Sequence, residues 1–154
     1  MLQRIQSLYL LIAAILTGIS TKMIFASLSS DKAYYELIAA GIKMTGEGLA
    51  NEMVYPTMPL RVLVILSTVI SAFTIFRYKK RKIQISLCSI NIAITLGITG
   101  IAYYYGYTAA KVLEAKVAYH LPLIIPVVSA ILIVLALIAI IKDEALVKSF
   151  NRIR

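Results

Sequence analysis

Along this chain, charged residues withdraw from four long stretches and crowd into the segments between them. The stretches cover about 5–28, 59–76, 83–105 and 121–141, interrupted only by Lys22 near the end of the first and Arg61 at the start of the second. An α-helix rises about 1.5 Å per residue, so roughly 17–25 apolar residues cross a hydrocarbon layer about 30 Å thick. The pattern predicts four transmembrane helices, and hence an all-α membrane protein, a four-helix transmembrane bundle that forms one domain over 1–154. A cleaved signal peptide is the competing reading of the first stretch, since "IFASLSS" offers small residues for a cleavage site. That stretch exceeds the usual apolar core of about 7–15 residues, which favours a retained helix.

The segments between the stretches differ in kind. The outer loop 29–58 is too long for a simple connector. In it "AYYELIAAGIKM" and "LANEMVY" flank "TGEG", which suggests a short extracytoplasmic β-hairpin. "ELIAAGIKM" reads equally as a helical turn on the membrane surface. The segment 106–120, "GYTAAKVLEAKVAYH", places Val112, Leu113 and Val117 among Lys111, Glu114 and Lys116, the pattern of an amphipathic turn or two at the interface. "YYYGY", with Tyr103, Tyr104, Tyr105 and Tyr107, fits an aromatic belt better than a ligand platform.

Composition sharpens this picture. Of 154 residues, 60% are hydrophobic and 15% charged, against about a quarter charged in ordinary soluble domains. The net charge is +9. Four crossings put Arg4, Arg77, Lys79, Lys80, Arg81, Lys82, Lys142, Lys148, Arg152 and Arg154 on one side. Lys22, Lys32, Lys43, Arg61, Lys111 and Lys116 fall on the other, a split of ten against six, with five of the ten in the hexapeptide "RYKKRK". By the positive-inside rule both termini and that hexapeptide are cytoplasmic. The hexapeptide is first a topology signal. It also suits anionic headgroups at the cytoplasmic leaflet, and contact with RNA or an acidic protein only as part of a larger assembly.

Candidate chemistry is sparse. His120 is the one histidine and Cys88 the one cysteine, so no intramolecular disulfide forms and no metal-ligand cluster is suggested. No Ser-His-acid set or phosphate-binding Gly-rich loop is present, and no acidic residue lies mid-span, which argues against a coupled pump. No catalytic residue, metal or cofactor is expected. Lys22 and Arg61 lie at one membrane depth and read as snorkelling residues, or as a cationic pocket. In the third stretch Cys88, Asn91, Thr95 and Thr99 share a polar stripe, and Ser89, Ala93 and Gly97 form a neighbouring small-residue stripe. With Ala14 and Gly18 in the first stretch and Ser67 and Ser71 in the second, these suit close helix packing. Pro122 and Pro126 fall in the first turns of the fourth helix, where a missing N–H costs least.

Three segments, "MLQRIQSLYLL", "RYKKRKIQISLC" and "KDEALVKSFNRIR", together resemble an uncharacterised family of small four-helix inner-membrane proteins of Bacteroidota. The resemblance runs along essentially the whole chain. It implies a Gram-negative inner membrane and carries over no catalytic residue. The matching residues are Gln3, Arg4, Gln6 and Tyr9; Arg81, Lys82, Gln84 and Cys88; and Asp143, Glu144, Leu146, Val147, Arg152 and Arg154. All fall on the cytoplasmic side. The function expected is that of a non-enzymatic accessory subunit of a larger membrane complex, with protein export or insertion machinery as one candidate host. It would dock on other membrane subunits and on lipid through Arg4, Arg77, Lys79, Lys80, Arg81, Lys82, Arg152 and Arg154. The alternative is a small transporter or lipid-binding protein that uses Asn91, Lys22 and Arg61.

Overall fold

A computed structural model describes residues 2–30, 33–45, 53–78 and 80–151. Its elements in chain order are α1 (Leu2–Ser20), β1 (Ile24–Ser29), β2 (Tyr34–Ile38), β3 (Gly41–Thr45), β4 (Met53–Pro56), α2 (Met58–Phe76), α3 (Arg81–Val112), β5 (Lys116–Tyr119) and α4 (Ile125–Asn151), with a 3-10 turn at Leu121–Ile124 leading into α4. The five strands form one antiparallel sheet in the order β4-β3-β2-β1-β5. The expectation of an all-α four-helix transmembrane bundle is therefore corrected: the protein is mixed α/β, with four helices and a five-stranded sheet among the described residues.

The first apolar stretch shows why. It divides into two elements at Ser20. Thr17 donates to the Ala13 carbonyl at 2.9 Å and Ser20 to the Thr17 carbonyl at 2.7 Å. The chain then tightens through bonds from Thr21, Lys22 and Met23 to the last carbonyls of α1. Beyond this turn "IFASLS" is strand, held between β2 on one side and β5 on the other. An apolar run alone does not distinguish a buried strand from a helix.

Register sorts the sheet's faces. Partners directly opposite in an antiparallel pair share a face. Ala26 with Leu37 and Tyr119, Leu37 with Ile42, and Leu28 with Tyr35 and Val117 thus share one side, and all belong to the apolar cluster that covers α3 and the start of α2. Ser27, Glu36, Lys43 and Ala118 take the other. Phe25 occupies an irregularity in the β1–β2 pairing and is wholly buried. The two-residue turn Ala39–Ala40 joins β2 to β3, where the sequence also allowed a helical turn. The "TGEG" turn falls mainly outside the described residues.

Among the helices, α1 packs on α2 and α4, and α3 packs on the same two. A second apolar cluster of Leu10, Ala13, Cys88, Ile133, Ala136 and Ile140 joins α1, α3 and α4. With 32 residues, α3 is about 48 Å long. Its C-terminal turns, with Ala102, Gly106 and Ala109 buried, carry the sheet. The third stretch thus continues as helix well past 105. Among the described residues three helices, Met58–Phe76, Arg81–Val112 and Leu121–Val147, are long and apolar enough to cross a membrane, and Ile5–Ser20 is a shorter apolar helix.

Candidate functional site

The described residues of the cationic hexapeptide, Arg77, Tyr78, Lys80, Arg81 and Lys82, lie at the end of the molecule away from the sheet. β4 feeds the start of α2 and α3 carries the sheet on its C-terminal turns, so the α2–α3 turn is left at the far end. Arg77 closes α2 through its N–H to the Thr74 carbonyl, and Lys80 opens α3 with no side-chain cap. Lys80 and Lys82 are exposed. Phe76, Arg77, Tyr78 and Lys80 line an open concavity of about 350 Å³. The Arg77 guanidinium lies 5.5 Å from the Phe73 ring centre, and its Nε is buried without a hydrogen-bond partner among the described residues.

Not all the cations are presented outward. Arg81 donates from Nη1 to the Asp143 carbonyl at 2.8 Å, and its Nη2 lies 3.8 Å from the Asp143 carboxylate. It ties the start of α3 to α4. One turn on, Gln84 Nε2 donates to the Thr74 carbonyl at 2.9 Å, which joins α3 to the end of α2. Gln6 and Cys88 are buried and Tyr9 packs on the second apolar cluster. The residues that carry the family resemblance therefore include several that join helix ends. Sequence reasoning grouped Arg81 with the docking cations because nothing in its spacing identifies Asp143 as a partner. Lys79, Arg152 and Arg154 lie outside the described residues, as does the side chain of Arg4.

A polar seam runs from this end into the helices. Asn91 Nδ2 donates to Ser71 Oγ at 2.7 Å with both side chains buried. Thr95 bonds back to Asn91 and Ile92 carbonyls, and Thr68 donates to Thr17 Oγ1 at 3.1 Å. Asn91 Oδ1, Ser67 Oγ and Thr99 Oγ1 are buried without partners among the described residues. A Cβ added at Gly18 meets Thr68 at 3.6 Å, so that glycine lies against α2. The neighbouring stripe points elsewhere: Ser89 and Ala93 are exposed, and a Cβ at Gly97 meets nothing within 4 Å.

At the sheet end, Lys22 and Arg61 are exposed. The tyrosines of "YYYGY" divide: Tyr103 stacks on Tyr119 with ring centres 5.0 Å apart, Lys111 Nζ sits 4.5 Å from the Tyr107 ring centre, and Tyr105 packs on the sheet core. Burial, with Tyr103 adding to it, pushes the Tyr119 hydroxyl above its ordinary pKa. His120 Nε2 and Ser27 Oγ share a 2.6 Å hydrogen bond, which satisfies the hydroxyl on the outer face of β1. An apolar groove of about 250 Å³ opens between β4 and the last turns of α3, lined in part by Ile42, Tyr55, Pro56, Tyr105 and Val112. Among the described residues no three His, Cys, Asp or Glu side chains gather as a metal site would require.

No curated protein matches the chain. A family model matches it over residues 2–153, nearly end to end, and the chain belongs to that family, described as Domain of unknown function (DUF4293).

Proposed function

We propose that this chain is a non-enzymatic integral protein of a bacterial inner membrane, of the Bacteroidota kind its sequence resembles, with both termini in the cytoplasm. It serves as an accessory subunit of a larger membrane complex and docks through the cationic end, with export or insertion machinery as one candidate host. One observation carries the reading. Large apolar side chains are exposed along every helix, among them Leu8, Leu11 and Ile15 on α1, Val62 and Val69 on α2, Ile90 and Leu96 on α3, and Ile131 and Ile138 on α4. Lipid solvates such surfaces and water does not. The sheet bounds this apolar zone at one end and the α2–α3 cations bound it at the other.

The seam around Asn91 supports packing better than passage. Arg61 lies ten residues before Ser71 on α2, about 15 Å along the helix, so the cations at the sheet end do not share a cavity with Asn91. Purification in a gentle detergent tests the proposal. Membrane partners recovered at fixed stoichiometry, and lost when Lys80 and Lys82 are both changed to Glu, are the expected result. A chain that purifies alone, as an oligomer that carries a solute, would overturn it in favour of transport.

A further inference from the structure

We propose that the concavity at the end of α2 binds the phosphate of one anionic phospholipid, whose acyl chain lies along the outer stripe of α2. The inference rests on the membrane reading above and narrows what the cationic end recognises.

Four features meet there. The first is the concavity, about 350 Å³ between Phe76, Arg77, Tyr78 and Lys80, with room for a phosphate and its ester oxygens. Second, Arg77 is pre-oriented, with its guanidinium 5.5 Å from the Phe73 ring centre. Arg77 lines the concavity, and a phosphate held there gives its guanidinium a charge-assisted acceptor. Third, α3 begins at this point with Lys80 as N-cap, no capping side chain and no acidic residue in its first turn. Its N-terminal amides and dipole favour an anion, though they would not make a site by themselves.

The fourth feature selects a lipid rather than a free anion. Val62, Ile65, Val69, Phe73 and Phe76 are exposed at helical spacing and form one stripe along α2 that ends at the concavity. From Val62 to Phe76 is about 21 Å along the helix, which is enough to receive an acyl chain. Phe76, 77% exposed, stands where stripe and cations meet. Arg81 takes no part, because Asp143 holds it.

Native mass spectrometry of the full chain in mild detergent, titrated with phosphatidylglycerol or phosphatidylcholine, tests this. One phosphatidylglycerol is expected to stay bound preferentially. The double variant Arg77→Gln/Lys80→Gln should weaken its retention by about thirty-fold, at roughly five-fold for each cation removed near the headgroup. Lys82→Gln and Lys142→Gln remove exposed cations at the same end and should change retention less than about two-fold. Arg77→Lys, which keeps the charge, guards against misfolding and should retain most of the binding. Equal losses in all variants would reduce the site to diffuse attraction and overturn the proposal. So would equal retention of phosphatidylcholine, or displacement of the lipid by inorganic phosphate. Membrane flotation of the same variants separates the two readings: a chain that floats but shows no lipid preference sinks only the phosphate site.

Discussion

At the scale of single residues, this protein places polar side chains where its apolar helices meet. The Asn91 amide on Ser71 is the clearest case. In a membrane such bonds contribute about 0.6 kcal/mol on average and up to about 2. A double-mutant cycle with Asn91→Ala and Ser71→Ala, read by unfolding in detergent, should give a coupling of about 0.5–1.5 kcal/mol. A coupling near zero would show that the pair only fills space. At the sheet end the raised pKa of Tyr119 makes a pH prediction with a definite sign. Ionisation is harder in the folded state, so the stability it contributes is complete below the unfolded value of about 10 and falls as pH rises past it. A pH series of thermal unfolding should show an alkaline loss that Tyr119→Phe reduces. The sequence showed Asn91 on its polar stripe, because side chains at helical spacing share a face. It did not reveal that the Tyr119 ring lies against Gly106, where an added Cβ would meet it at 3.0 Å, because that contact depends on where β5 returns.

At the scale of elements, two junctions carry the fold's irregularity. α3 ends with Glu114 at φ 48°, with the Ala115 N–H reaching back to the Ala110 carbonyl at 3.0 Å. This is a Schellman closure, whose left-handed position favours glycine. Glu114→Gly should therefore be neutral or stabilising by up to about 1 kcal/mol, whereas Glu114→Val should cost about 1–2 kcal/mol; chemical denaturation of the two variants checks the order. The second junction is Gly41, where a Cβ would stand 2.8 Å from the Tyr55 backbone oxygen. Gly41→Ala should push β4 from β3 at a cost of about 1–3 kcal/mol, seen as faster amide exchange in Met53–Pro56 than elsewhere in the sheet. Elements with a strong local signature were legible: residues 59–76 form a helix because nearly every side chain is apolar and no breaker follows Pro59. β1 was not, because Ile24–Leu28 continues the hydrophobicity of α1 with no local sign of a change from helix to strand. Its strand state comes from β2 and β5, and β5 lies about ninety residues away.

At the scale of the whole molecule, two ends of different chemistry flank an apolar middle. Arg81 and Asp143 link α3 to α4 at one end, and the sheet joins α3 to the start of α2 at the other. If the chain sits as proposed, a single cysteine introduced at Lys80 should react with an impermeant maleimide only from the cytoplasmic side. Labelling from the outside of intact cells would invert the orientation and remove the cationic end as a cytoplasmic docking surface. The family match covers 2–153, so both ends belong to what the family shares.

By itself the sequence determined the run lengths of apolar residues, the concentration of cations in one turn and the sparseness of catalytic groups, since these are properties of composition and local spacing. The tertiary structure alone decided that part of the first apolar run is strand, that five short segments assemble into one sheet, and that Arg81 is held while Arg77 faces a concavity. The physical reason is pairing across the chain. A strand's hydrogen bonds and a guanidinium's partner both come from distant positions, and no periodicity within a segment records them.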